Sequence, residues 1–282
     1  MFLQWLGRGT KNSEARMNLS LQQYFEEHRR NNRKLLSLFL TAGFPTADAT
    51  LPLLQLLDKA GADLIELGMP FSDPLADGPT IQRTSQIALR NGVTVKSVLE
   101  MAASRPGGMR APIILMGYYN PILKFGMEKF VQAATNAGVQ GLIIPDLPPE
   151  ESTALRERAL AAGLSLIYLV SPNTSLQRLE LIDRMTTSFV YAVSITGVTG
   201  ARTHVAAQAK DFLERLRQQI RHPILVGFGV ASASEAQALA SACDGVIVGS
   251  ALLHEIEKHW LDETGRAKVA AFVQTFSQSL RA

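Results

Sequence analysis

Apolar residues fall along this chain in short, nearly unbroken runs. Each run is followed by a longer stretch in which apolar positions recur every three or four residues. A run without polar alternation is what a strand covered on both faces looks like, and the wider spacing is one face of a helix. The runs begin near Leu35, Leu64, Ile113, Gly141, Ser165, Phe189, Ile224 and Gly245. Their starts lie 21 to 35 residues apart, room for one strand and one helix each, except for the 49 residues after Leu64, which leave space for a long loop and an extra helix. Helices are predicted over 51–60, 127–137, 150–162, 175–185 and 205–220. Three of these end in Ala-Gly, at Gly61, Gly138 and Gly163, where glycine in the left-handed conformation stops a helix. A leading helix is expected over 21–32 and a closing one over 266–280. Eight strand–helix units point to an α/β fold, a (β/α)8 TIM barrel with an extra N-terminal helix and an extra helix after strand two. An open doubly wound sheet is the alternative this pattern leaves.

Composition narrows the picture. With 46% hydrophobic and 19% charged residues, a large core forms and wholesale disorder is excluded. The net charge of +3 is unevenly placed: Arg8, Lys11 and Arg16 against Glu14 leave +2 in the first 16 residues and +1 in the rest. Residues 1–16, ahead of a second methionine at Met17, are read as an extension expected to be disordered, and 17–282 as one barrel domain. A charge of +1 on that domain, without a basic patch carrying interleaved aromatics, argues against nucleic-acid binding. No run approaches the roughly 18 apolar residues of a membrane span. The single cysteine, Cys243, rules out an intrachain disulfide and fits a reducing, cytoplasmic compartment.

In a barrel the chemistry lies where the strands end. Glycine clusters follow the last three strands: Thr196 to Arg202, Gly227-Phe228-Gly229, and Gly249-Ser250. Glycines let the backbone approach an anion, and helix N-termini bind phosphate, so the three together point to a phosphate site. Any one of them taken alone reads first as a tight turn. Glu66 is a carboxylate inside an apolar strand, where its proton affinity must rise or a partner must exist. The alternative role is a structural one, capping a neighbouring loop. Asp77 and Asp73 follow in a loop rich in proline and glycine; taken alone they read as turn formers, and they gain interest from sharing that strand end. Other polar groups at strand ends are Thr41, Tyr118, Tyr119, Asn120 and Asp146, the last read as a loop or helix-cap residue.

What is missing narrows the chemistry further. No lysine falls late in a strand, which disfavours a Schiff-base aldolase. The histidines at 28, 204, 222, 254 and 259 are scattered, so no metal site is expected, and no GxGxxG dinucleotide fingerprint follows Gly227. Cys243 precedes its strand, at the wrong end for a nucleophile. Acid–base chemistry by carboxylates on a phosphorylated, apolar substrate remains.

The segment Glu66 to Gln82, ELGMPFSDPLADGPTIQ, closely resembles the signature of the tryptophan synthase α chain family. The resemblance continues through Leu40–Gly43, Met116–Pro121, Gly141–Glu151, Ser194–Arg202, Gly227–Val230 and Gly249–Ala251, and covers the chain from Met17 onward. It implies retro-aldol cleavage of indole-3-glycerol phosphate to indole and glyceraldehyde 3-phosphate. Glu66 and Asp77 match the catalytic glutamate and aspartate. Glu66 would protonate the indole C3 carbon and take the glycerol hydroxyl proton, while Asp77 would hold the indole N–H. Gly200, Gly229, Gly249 and Ser250 match phosphate-binding positions. Phe39, Tyr118, Tyr191, Thr199 and Phe228 match the substrate pocket, and the loop at Thr199–Thr203 would close over it.

The resemblance also implies a partner, a pyridoxal-phosphate-dependent β chain in an α2β2 heterotetramer, met through Pro70, Asp73 and Asn120. Pyridoxal phosphate would belong to that partner, so no cofactor is expected here. Phe44 departs from the family pattern, which often carries Asp there, and is expected to change contacts at that loop without removing catalysis. A non-catalytic activator of the β chain, or another phosphate-binding barrel enzyme of the same pathway, are the rival readings.

Overall fold

The computed structural model describes residues 20–193, 202–227 and 229–281, with backbone only for 202–209. In chain order these form α1 (Leu21–Arg30), β1 (Leu35–Thr41), α2 (Thr50–Ala60), β2 (Leu64–Gly68), α3 (Pro79–Arg90), α4 (Val95–Ala103), β3 (Ile113–Met116), α5 (Tyr119–Phe125), α6 (Met127–Asn136) and β4 (Gly141–Ile143). There follow a 3-10 turn (Pro149–Glu151), α7 (Thr153–Ala161), β5 (Ser165–Ile167), β6 (Leu169–Val170), α8 (Leu176–Met185), β7 (Val190–Val193), α9 (Arg202–Gln219), β8 (Ile224–Gly227), α10 (Ala233–Ala240), β9 (Gly245–Val248), α11 (Ser250–His259) and α12 (Glu263–Ser279). The expected extension 1–16 lies outside the described residues.

Every strand pairs parallel to its neighbours, in the order β5-β4-β3-β2-β1-β9-β8-β7-β6. The two ends of that list, β5 and β6, are successive pieces of the one apolar run predicted from Ser165. The first piece pairs with β4 and the second with β7, so a single strand closes the sheet into a barrel and the open-sheet alternative falls. Tyr168 marks the changeover. Its carbonyl already accepts from Tyr191 N–H on the β7 side, and its buried hydroxyl bonds Ser152 at 2.6 Å.

The strands divide their side chains between two clusters, as the two-residue period of a strand requires. Leu36, Leu38, Leu40, Ile65, Leu67, Leu142, Val226 and Val246 face the helical shell. Leu35, Leu64, Ile114, Ile143, Ile167, Tyr191, Leu225 and Ile247 fill the barrel interior. That alternation sets Glu66 inward, since it stands two residues from Leu64 on β2. The all-apolar run could not reveal this direction.

The leading helix plugs the barrel's lower end. Ser20 caps it in a reciprocal box with Gln23, and its buried residues Leu21, Tyr24, Phe25 and His28 follow the helical spacing. Phe25 stacks on Phe189 with centroids 4.8 Å apart. Phe25→Ala should therefore cost about 3–5 kcal/mol in urea unfolding. Activity per folded molecule should be unchanged. A loss below about 1 kcal/mol would mean that the plug does not stabilise the barrel.

The long interval after β2 holds two helices, α3 and α4, as its length predicts. The glycines expected to stop helices, Gly61, Gly138 and Gly163, all have positive φ. The short helix α5 was not legible. It spans seven residues with Pro121 in its first turn, and its N-terminal Tyr119 N–H is capped by Asp146 Oδ1 at 2.9 Å, from a loop 27 residues on. Asp146 thus lies in a loop, as expected, and caps a helix that precedes it in the chain rather than the one that follows. Phe44, 1% exposed, packs into the core, so the departure at this position changes the contacts of the loop after β1.

Candidate active site

Glu66 sits in the middle of β2, fully buried, with Phe39 and Ile114 as its register neighbours on β1 and β3. Ser37 Oγ donates to its Oε1 at 2.6 Å, and its Oε2 has no hydrogen-bond partner. No cation pairs with it among the described residues. Burial without a counter-charge pushes the carboxyl up to about 7, against the smaller lowering effect of the Ser37 bond.

Asp77 is half-buried in the loop between β2 and α3. Its N–H donates to the Pro74 carbonyl at 3.0 Å, and Gln82 Nε2 donates to the Asp77 backbone carbonyl at 2.9 Å, so α3 holds the turn. Pro79 starts α3, where a missing N–H costs nothing. The Tyr118 hydroxyl, at the end of β3, ties the loop down. It donates to Asp77 Oδ2 at 3.0 Å and accepts from Ala76 N–H at 3.0 Å, while its ring packs on Phe71. Burial pushes the Asp77 carboxyl up to about 6, and the Tyr118 bond partly offsets this.

Tyr191 on β7 lies within electrostatic reach of both carboxylates. Burial first, then Glu66 and Asp77, hold its hydroxyl well above the ordinary tyrosine value. The expected pocket residues Phe39, Tyr118 and Tyr191 therefore do gather around the two acids. Phe39 and Tyr118 line one cavity with Asp77, Gly68, Met116 and Pro145. Gly68 is needed there, because a Cβ would stand 2.6 Å from Phe39 Cζ. On its other side Phe39 reaches Gly249, whose Cβ position would lie 3.4 Å from Phe39 Cβ.

Gly249 is the N-cap of α11 and offers no side-chain cap bond, so the first N–H groups of that helix, beginning at Ser250, face the barrel mouth without an intrahelical partner. Gly229 after β8 adopts φ +74. The other expected positions, Thr199, Gly200 and Phe228, lie outside the described residues. Of the expected partner contacts, Asp73 and Asn120 are exposed, whereas Pro70 is buried beneath the loop. In the same loop as Asp73, Leu75 is 90% exposed.

Sequence reasoning missed Ser37, although its signal was the one that singled out Glu66: a polar residue inside an apolar strand. It also missed the Tyr118–Asp77 bond, which joins two loops that only the fold brings together. Among the described residues no group of His, Cys, Asp and Glu could hold a metal ion, and no helix is long and apolar enough to cross a membrane.

The profile of the family described as Tryptophan synthase alpha chain matches residues 25–281. The chain is 44% identical to the Tryptophan synthase alpha chain of Geobacter sulfurreducens over 256 residues, covering 91% of this chain and 97% of that one. It is 48% identical over 239 residues to the Tryptophan synthase of Saccharomyces cerevisiae, 84% of this chain but only 34% of that longer protein. Among solved structures it resembles tryptophan synthase subunit alpha from Legionella pneumophila, with a TM-score of 0.86, 36% identity, and coverage of 93% and 98% of the two chains.

Proposed function

The chain belongs to the tryptophan synthase alpha chain family, and we propose that Glu66 and Asp77 together carry that family's carbon–carbon cleavage at the mouth of this barrel. The reaction is the lyase step that splits indole-3-glycerol phosphate into indole and glyceraldehyde 3-phosphate, in tryptophan biosynthesis. One observation carries the assignment. Two carboxyls without cationic partners among the described residues, one on β2 and one in the loop that follows it, are both raised by burial into the range where a proton can be given and taken near neutral pH.

Glu66 gives its proton to C3 of the indole ring, and Asp77 holds the ring N–H where positive charge develops. Glu66 then takes the proton of the glycerol hydroxyl beside the breaking bond. The electron pair of that bond returns to the ring, a carbonyl forms on the departing fragment, and Glu66 ends protonated again. No water, metal or cofactor is consumed. Phe39, Tyr118 and Tyr191 form walls for the indole, and the resemblance adds Thr199 and Phe228, which lie outside the described residues. Gly200, Gly229, Gly249 and Ser250 hold the phosphate, supported by the uncapped N-terminus of α11.

The family implies partnership with a β chain. We place that contact on the rim around Asp73 and Asn120, with Pro70 supporting it from beneath. The 90% exposure of Leu75 supports this, because so open an apolar side chain gains from being covered. The assembly proposed is the α2β2 heterotetramer, cytoplasmic, with pyridoxal phosphate on the β chain alone. We read 17–282 as one domain, which the closed sheet supports, and 1–16 as an extension.

The test is indole release by the chain alone and with the β chain, followed across pH. The active form has Asp77 ionised and Glu66 protonated, so kcat/KM should fall below about 6 as Asp77 gains its proton and above about 7 as Glu66 loses its own. No indole release under either condition would favour the non-catalytic activator.

A further inference from the structure

Ser37 is as out of place in its strand as Glu66 is in the next. It is fully buried, and it alternates inward with Leu35 and Phe39 along β1. Its hydroxyl donates to Glu66 Oε1 at 2.6 Å, the length of a charge-assisted O–H···O bond, while Oε2 is buried and unpartnered. We propose that Ser37 is a positioning residue that divides the Glu66 carboxyl into an anchored oxygen, Oε1, and a working oxygen, Oε2, through which the proton exchanged with substrate always passes. This rests on Glu66 being the proton carrier.

The division follows from the bond's chemistry. When Glu66 is ionised, Oε1 accepts from Ser37 as a carboxylate oxygen. When Oε2 carries the proton, Oε1 is the carbonyl oxygen of the acid and accepts the same bond. The contact therefore persists through both halves of the cycle, and the proton comes and goes at Oε2 without rearrangement. A terminal carboxyl torsion is otherwise broad and two-fold. Without Ser37 the two oxygens would exchange places, and the proton would point at the substrate carbon only part of the time.

The other titratable group that interacts with Glu66 is Tyr191 from β7, which also interacts with Asp77 in the loop after β2. The flanking register neighbours, Phe39 and Ile114, carry no charge. Tyr191 stays neutral across the working range, because its hydroxyl is held above its ordinary value. Asp77 governs the acid limb of the pH profile. A change at Ser37 should thus show in the basic limb.

Ser37→Ala and Ser37→Thr test this in the full-length chain, with kcat and KM followed across pH. A parallel infrared titration would follow the buried carboxyl C=O band, assigned by its absence in Glu66→Gln. For Ser37→Ala, kcat should fall roughly ten-fold with KM nearly unchanged. The basic limb should rise by about one pH unit, since a donor to the ionised form is lost. The carboxyl band should persist to higher pH and move to higher frequency. Ser37→Thr, which keeps the hydroxyl, should restore the profile; if it fails to fold, the Ala variant and its infrared titration still decide. An unmoved limb and an unmoved band in Ser37→Ala would overturn the proposal, as would a loss confined to KM. If Glu66→Gln kept its activity, the reading of Glu66 as proton carrier would fail instead, while the band would still report whether Ser37 holds that carboxyl.

Discussion

Glu66→Gln should lower indole release by roughly 10³-fold or more, within the range that general acid–base catalysis supplies. The chain should fold and bind a phosphorylated substrate analogue as before. The amide matches the carboxyl in size and still accepts from Ser37, so packing inside β2 is preserved while the transferable proton is gone. A second consequence separates this reading from simple damage. Burial raises the Glu66 carboxyl from 4.5 to about 7, so the folded chain holds that proton more tightly than the unfolded chain does. The contribution of Glu66 to native stability therefore falls as pH rises through that window and falls no further above it. The loss amounts to about 3 kcal/mol at roughly 1.4 kcal/mol per pH unit. Gln carries no such loss. The variant should then match the parent chain near pH 4.5 and exceed it in stability at pH 8, as read from urea midpoints. Full activity in Glu66→Gln would remove the glutamate from the mechanism. A stability difference that did not widen with pH would mean that the carboxyl is not kept uncharged by burial.

The strands were legible because both faces of each are covered, and such strands announce themselves as apolar runs. All eight predicted runs became strands. The break at Tyr168 that makes two of the one run at Ser165 is a hydrogen-bonding changeover, which no composition signals. Glu66 and Asp77 were legible by different routes. Glu66 violates its strand, whereas Asp77 gained weight only from its neighbour and from the signature around it. Direction was hidden: alternate residues of β2 look alike in sequence, and only the packing of Leu64 with α1 and the other inward residues tells which side faces the barrel interior. Contacts between loops were hidden for the same reason. Asp146 capping α5 and Tyr118 holding Asp77 both join segments separated by tens of residues.

Asp77→Asn should lower kcat by roughly 10²-fold, the magnitude seen when one preorganised charge-stabilising group is removed. The substitution keeps the shape, and an amide oxygen can still accept from both Tyr118 and an indole N–H. What it removes is the negative charge opposite the ring nitrogen, so the loss reports the value of that charge. Positive charge develops there only as C3 is protonated, so the effect belongs in kcat, with KM changed little. The acid limb of the pH profile should vanish with the titrating group. Tyr118→Phe gives the complementary result. It leaves the charge but removes the donor that favours the ionised form, so the Asp77 limb should move above about 6 while most of kcat survives at pH 7.5. A rise in KM without loss of kcat in Asp77→Asn would make Asp77 a binding group for the ground state. An acid limb that survived that substitution would assign the limb to another residue, since Asp77 is the one group the mechanism requires to be ionised at the start of the cycle.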